Sequence, residues 1–341
     1  MDDLLSLNKK LKLEEYNFEA SDFNLASESQ KKNFIRTAPS TSYFQDAKRR
    51  LMENKVAMVS LGFLIIVFIF AFFGPFFVKG DYTTQFRGDE NLYPCIRYPF
   101  GTDKLGRDIM VRTMYGTRVS LIVGIFASLI VLVIGTIYGS ISGYFGGKVD
   151  AVMMRILDLV YSIPDVLVVI LLSIGISQPL KSFVNSSTSE FAKKIGVLGP
   201  ALISIFIAFA LLYWVGMARI IRGQVLMLKK QEFVTAVEAL GGSKRRIIRR
   251  HLFPNCIGQV IVMTAMQIPS AIFLESFLSF LGIGVSAPMT SLGALAADAL
   301  GGIYSYAYRL IIPSLLLSLM ILSLNLFADG LRDALDPRLK K

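Results

Sequence analysis

The chain is predicted to be an all-α integral membrane protein with six transmembrane helices, and three observations carry that reading. Hydrophobic residues make up 53% of its 341 positions and its mean hydropathy is +0.55, a balance suited to lipid-facing helices rather than to a soluble core. Several apolar runs reach the roughly 20 residues needed to cross a bilayer. Basic residues collect beside those runs and give a formal charge of +11, as expected where cytoplasmic loops carry the positive charge. Such a charge would also suit a nucleic-acid binder, but the apolar spans already account for it. Two Cys and one His are too few for a metal cluster or a histidine-based triad. Cys95 and Cys256 fall on opposite sides of the membrane in this arrangement, so no disulfide is expected between them.

Residues 1–55 are read as a cytoplasmic tail. Up to Ser42 they mix acids, bases, Ser, Asn and Gln without a sustained apolar period, the composition of a disordered segment. From Tyr43 to Lys55, Phe44, Ala47, Leu51 and Met52 oppose Lys48, Arg49, Arg50 and Lys55, which predicts a helix lying on the membrane surface. Residues 56–78 are uncharged and form the first span, too long for a signal core and therefore an anchor. The basic residues before it start it in the cytoplasm, so residues 79–118 become an external loop.

Residues 119–330 are read as a five-helix core, and 331–341 as a cytoplasmic tail. Ser120–Ile141 is the second span, and Gly135, Gly139 and Gly143 place small residues on one face where another helix can approach. The third span, Val152–Ile176, is interrupted by Pro164 and carries Arg155, Asp158 and Asp165. Arg155 and Asp158 are spaced to pair one turn apart. After a polar external segment, Gln178–Lys194, the fourth span is Val197–Ile221, the fifth Ile257–Ile283 and the sixth Leu310–Phe327. Both termini and the loop 222–255 are then cytoplasmic. The Lys229, Lys230, Lys244, Arg245, Arg246, Arg249 and Arg250 cluster supports that side independently.

Within that loop, Glu232 to Asn255 reads EFVTAVEALGGSKRRIIRRHLFPN. Phe233, Val234, Val237 and Leu240 recur at helical spacing, while Gln231, Glu232, Thr235 and Glu238 fall mostly off that face. Gly241 and Gly242 allow a left-handed stop, Ser243 can cap a second helix with Ile247, Ile248 and Leu252 on its apolar side, and Pro254 ends the unit. Two short helices joined by a glycine turn between long spans make a docking element.

This unit resembles the EAA loop of bacterial ABC-importer permeases, whose alanine, glycine and proline positions match Ala236, Gly241 and Pro254. Thr235 stands where the motif's glutamate usually falls, Val237 replaces its second alanine, and Phe253 replaces the leucine before the proline. Further stretches extend the likeness: FGTDKLGRD at Phe100–Asp108, GYFGGKVD at Gly143–Asp150, MRILD at Met154–Asp158 and ESFLSFLGIGV at Glu275–Val285. Together they resemble the C-type permease of oligopeptide and dipeptide importers, a pattern that nickel importers share.

The resemblance implies the type I ABC importer permease fold in a bacterial inner membrane. It also implies a second related permease, two ATPase subunits carrying ATP and Mg, an extracytoplasmic binding protein and a peptide substrate. This chain would bind no cofactor itself. Its ATPase-coupling set would be Glu232, Phe233, Ala236, Val237, Leu240, Gly241 and Pro254, with Phe233, Val237 and Leu240 as apolar anchors in a groove of the ATPase.

No enzyme chemistry is legible. Gly146, Gly147 and Lys148 suggest a phosphate loop, but Val149 follows the lysine and Ser142 stands where the first glycine belongs. A membrane-embedded hydrolase would draw on Asp158, Asp165 or Glu275, yet no nucleophile motif or metal-ligand cluster accompanies them. A DNA-reading role for the basic helices conflicts with their tethering to spans at both ends. Glu275, inside an apolar span, must find a partner or water, and either lines a pore or gate or ties two helices together. Asp103, Arg107 and Asp108 either touch the binding protein or tie down the external loop.

Overall fold

The computed structural model describes residues 43–336, apart from 79, 188, 191–195, 197–198 and 286. The expected disordered N-terminal segment and the end of the C-terminal tail lie outside these residues. The described residues are mainly helical, with a long non-helical loop between Phe76 and Ile109: α1 (Tyr43–Glu53), α2 (Lys55–Phe72), α3 (Ile109–Phe145), α4 (Gly147–Tyr161), α5 (Asp165–Ser186), α6 (Pro200–Leu212), α7 (Trp214–Leu228), α8 (Glu232–Ala239), α9 (Lys244–Ile247), α10 (Phe253–Phe280), α11 (Leu292–Ala299) and α12 (Tyr308–Leu335). Among the described residues, six stretches are long and apolar enough to cross a membrane: Lys55–Phe76, Ile109–Phe145, Asp165–Ser186, Pro200–Leu228, Lys244–Phe280 and Tyr308–Leu335.

Several boundaries differ from the sequence reading, three of them for a clear physical reason. The second span starts at Ile109, inside the stretch expected to be loop. Asp108 caps it by accepting from the Met110 N–H at 2.7 Å. Its polar first turns are tolerated because Arg112 is paired and the Thr117 hydroxyl bonds back to the Thr113 carbonyl at 2.7 Å. The expected third span, Val152–Ile176, is two helices: α4 stops at Tyr161, and α5 runs from Asp165 to Ser186. Pro164 drives the break, since it disfavours helical geometry at Ile163 and then stands at the N-cap of α5. In the fifth span a π-helical turn, Ile248–Leu252, joins α9 to α10 without a gap.

The 37 residues of α3, about 55 Å at 1.5 Å per residue, run through the middle of the bundle and pack against α2, α6, α7, α10 and α11. The closest of these contacts is with α7. A Cβ at Gly135 would lie 2.6 Å from the Met217 Cβ, one at Gly143 2.8 Å from the Arg222 carbonyl, and one at Gly139 closer still to the Ala218 carbonyl. The small-residue stripe therefore serves helix approach, as its spacing predicts. Val123, Ala127 and Val131 of α3 share a core with Ile205 and Phe209 of α6, Ile221 of α7 and Leu274 of α10. On the other side, Val67 and Ala71 of α2 meet Leu121, Ile272, Leu292 and Met320. Large apolar side chains such as Val59, Ile66, Leu167 and Leu171 face outward along the spans, where lipid is their solvent.

Candidate functional site

The chain between α7 and α10 builds the projecting unit expected from the sequence. Gly241 adopts φ +77°, and nothing lies within 4 Å of where its Cβ would be, so the backbone conformation alone selects glycine. The Gly242 N–H reaches the Val237 carbonyl at 2.9 Å, and the Gly241 N–H reaches the Glu238 carbonyl at 3.0 Å, the paired bonds of a left-handed helix stop. Gly242 is selected by space instead, since its Cβ would meet the Val237 side chain at 2.6 Å. Ser243 stands at the N-cap of α9, but its hydroxyl makes no capping bond.

The apolar face of α8 divides. Val234 is fully buried and Val237 packs against the main core, whereas Phe233, Ala236 and Leu240 are exposed, Leu240 by 87%. Val237 is half-buried against the core and so less open to a partner than Leu240. Among the expected anchors, Phe233 and Leu240 are left outward, beside Glu232 and Ala236. Pro254 lies in the first turn of α10 and is exposed.

Residues to which the sequence reading gave no bracing role hold this unit on the end of α3. The Lys229 ammonium donates to the Tyr144 carbonyl at 2.6 Å and stands 5.1 Å from the centre of the Tyr144 ring. The Tyr144 hydroxyl donates to Glu238 at 3.3 Å, and Lys244 lies over the Phe145 ring at 5.4 Å. In the next turn, Asp150 accepts two bonds from the Arg222 guanidinium and one from the Ser142 hydroxyl at 2.6 Å. The Arg222 hydrogen bonds hold the Asp150 carboxyl below the usual aspartate range against the opposing effect of burial. The Gly143–Asp150 motif is therefore a hub between α3, α4, α7 and α8, and its Gly146–Lys148 portion is the turn from α3 into α4. The motif's spacing carried no clue to these partners, which lie 72 to 94 residues away in sequence.

The expected Arg155–Asp158 pair does not form. Asp158 instead meets Arg219 of α7 at 3.1 Å, and Arg219 is positioned by stacking over Tyr161 at 4.8 Å. A helical neighbour at suitable spacing loses to a guanidinium already held in place. Asp165 accepts from the Tyr213 hydroxyl at 3.1 Å.

At the opposite end of the bundle, the Phe100–Asp108 motif is knotted into the protein. Asp103 accepts from the N–H groups of Leu105 and Arg107 at 2.8 and 3.0 Å, and from the Arg107 and Arg112 side chains at 2.7 Å each. Arg112 also reaches Asp298, in α11, at 3.1 Å. Burial works to raise the Asp103 carboxyl, but the two N–H groups and the two guanidiniums prevail and hold it below the usual range. Burial raises the Asp108 carboxyl, with the Met110 and Val111 N–H groups only partly opposing it. Tyr308 and Arg309 complete the tie: the Tyr308 hydroxyl donates to the Leu92 carbonyl and Arg309 to the Asn91 side chain, both at 2.8 Å.

Glu275 is fully buried. Its carboxylate accepts from Ser120 of α3 at 2.9 Å, and from Ser279 at 2.7 Å and Ser276 at 3.3 Å on its own helix. Ser291, which caps α11, is a further hydrogen-bonding neighbour. The carboxylate is enclosed by the described residues. It ties α3, α10 and the start of α11 together, with hydroxyls compensating the cost of burying it. Cys95 and Cys256 are both free thiols, and no group of three or more His, Cys, Asp or Glu side chains able to hold a metal occurs among the described residues.

Comparison with known proteins agrees with this architecture over most of its length. Residues 135–341 match the family of binding-protein-dependent transport system inner membrane components. Residues 42–94 match the N-terminal TM domain of oligopeptide transport permease C. The dipeptide transport system permease protein DppC of Bacillus subtilis is 45% identical over 304 residues, covering 89% of this chain and 88% of the relative. The oligopeptide transport system permease protein OppC of the same organism is 41% identical, covering 89% and 92%. OppC of Escherichia coli K12 is 39% identical, covering 87% and 92%. With six helices long enough to cross a membrane, a projecting loop between the fourth and fifth, and these matches, the chain belongs to the binding-protein-dependent transport system inner membrane component family.

Proposed function

We propose that this chain is one half of the translocation pathway of an ATP-driven peptide importer, with α8 as the element that docks on an ATPase subunit. The observation that carries the reading is the outward set of Phe233, Ala236 and Leu240 on a short helix whose other face is built into the core and whose ends are braced on α3. An exposed apolar face with rigid support suits a docking anchor better than a mobile loop does. The named dipeptide and oligopeptide permeases support a peptide substrate. In this reading the partners are a second, related permease, two ATPase subunits that hold ATP and Mg, and an extracytoplasmic binding protein. The chain itself carries out no catalysis. The membrane is the bacterial inner membrane, the α8 end is cytoplasmic, and the Asp103 end is external. The Asp103, Arg107 and Asp108 cluster and the Glu275 hub then hold the bundle in shape rather than touch substrate.

ATP can drive transport only if the ATPase arrangement binds two permease conformations unequally, so loss of docking must uncouple hydrolysis from substrate. The test is ATPase pull-down and substrate-stimulated hydrolysis in the reconstituted complex. Leu240→Asp is expected to weaken ATPase retention by roughly 30-fold, the effect of losing about 2 kcal/mol at an interface anchor. Thr235→Ala, on an exposed position of the same helix, is expected to change neither. Wild-type retention and stimulation with Leu240→Asp would remove α8 as the docking element.

A further inference from the structure

Four arginines on the outward side of the α9 and π-helical stretch have no work within the protein. Arg245, Arg246, Arg249 and Arg250 are all exposed, and they line one cleft of about 720 Å³ with Ser243 and Pro254. The inward side of the same stretch is fixed, with Ile247 and Leu252 fully buried in the core. None of the four guanidiniums makes a hydrogen bond or ion pair with a described residue. The neighbouring cations are committed by contrast, Lys229 to Tyr144 and Lys244 to the Phe145 ring. Arg245 with Arg249 and Arg246 with Arg250 also repeat at four-residue spacing, where like charges on a helix repel. The fold therefore holds four uncompensated positive charges together on a rigid support, at a cost that a bound anion would remove.

The position of the cleft says which anion. The helix that bears the arginines continues without a break into the span that ends at Phe280. Arg250 lies two turns before the apolar run that opens at Ile257, roughly 10 Å along the axis. The polar layer of a bilayer is about 5–8 Å deep on each side, and an arginine side chain spans the remainder. Exposed Phe253 and Pro254 put apolar surface between the guanidiniums and the hydrocarbon. Planar guanidiniums suit phosphate oxygens by paired hydrogen bonds. The π-helical turn at Ile248–Leu252, a form frequent at functional sites, sets the register of Arg249 and Arg250 within the cleft. We propose that the Arg245–Arg250 face is a binding site for the phosphate headgroup of an anionic phospholipid. It is independent of whatever docks on α8.

The test uses the full chain purified in mild detergent, with phosphatidylglycerol and phosphatidylcholine offered together and retained lipid read by native mass spectrometry. Phosphatidylglycerol is expected to be retained at least tenfold over phosphatidylcholine and to be lost as salt is raised. Arg249→Gln with Arg250→Gln is expected to abolish the preference, and Arg249→Lys with Arg250→Lys to keep most of it. Equal retention of the two lipids by the wild type overturns the proposal without any variant, so it stays testable even if the glutamine pair does not fold. An unchanged preference in a folded glutamine variant also overturns it. Displacement of the lipid by equimolar inorganic phosphate would make this a site for soluble anions instead. Loss of ATPase pull-down in the glutamine variant with lipid retention intact would assign the face to an acidic protein surface. Loss of docking in Leu240→Asp with lipid preference unchanged separates this site from the α8 reading.

Discussion

Val237 and Leu240, the C-cap of α8, stand one helical turn apart on the same side and differ in exposure. Leu240 is open to a partner, while Val237 closes the core beneath the helix and fills the space that a side chain at Gly242 would need. Val237→Asp is therefore expected to bury a charge without a partner and to lower the yield and thermal midpoint of the folded chain. Leu240→Asp should leave both unchanged and act only on docking. Size-exclusion recovery and thermal unfolding of the two purified variants separate these outcomes, and equal destabilisation would contradict the assigned exposures. Spacing placed both residues on one apolar face but held no information about which part of that face the core takes. Glu275 was legible as a costly group needing a partner, whereas Ser120, which meets it from 155 residues away, was not. Asp103 carries the same lesson, since Arg112 and Asp298 were invisible as its company. Asp103→Asn should cost about 3 kcal/mol, the lower end for opening a buried pair, because Asp298 still faces both guanidiniums. The folded carboxyl titrates below its unfolded value of 3.8. Its contribution is then fully present above that value and is lost as pH falls through the lowered one. The stability gap between wild type and Asp103→Asn should stay flat from pH 5 to 8 and close only below about pH 4, read from unfolding midpoints across that range.

At the scale of elements, the sequence located helices well and their ends poorly. Apolar length found every span because lipid imposes a minimum that composition reports directly. The early start of α3 depended on a cap and a buried ion-pair cluster assembled by tertiary contact, and the division of α4 from α5 on one proline that could equally have kinked a single helix. The α3–α7 contact was legible from three glycines, although the partner helix was not. It also yields a prediction. A Cβ at Gly139 would strike the backbone of Ala218 rather than a flexible side-chain end, so the helices must move apart. Gly139→Ala is expected to cost about 1–3 kcal/mol by overpacking, despite the better helix propensity of alanine. Gly223→Ala, where nothing lies within 4 Å of the added carbon, should be neutral or slightly stabilising. Thermal unfolding in one detergent compares them, and equal midpoints would show that the close approach is not tight.

Across the whole molecule, α3 reaches both functional ends. Tyr144 and Phe145 at its close carry the cations and the Glu238 bond that brace α8, and Arg112 in its first turn holds Asp298 of α11. Between them, Ser120 ties it to Glu275 of α10, so a displacement of α8 is passed to a packed rod rather than absorbed by a loop. This arrangement has a use only if the two ends of α3 lie on opposite sides of the membrane, and that is directly measurable. With Cys95 and Cys256 replaced, single cysteines are placed in turn at Gly241, Arg97 and Tyr304. Arg97 and Tyr304 suit the test because both side chains are exposed. A membrane-impermeant maleimide applied to intact cells should label Arg97→Cys and Tyr304→Cys, and should reach Gly241→Cys only after the membrane is opened. Glycine at position 241 has a left-handed backbone, so its replacement costs about 1–2 kcal/mol, and exposed Leu240→Cys provides the same reading without that strain. Labelling of Gly241→Cys and Leu240→Cys from outside intact cells would invert the orientation and remove α8 from the reach of any cytoplasmic ATPase.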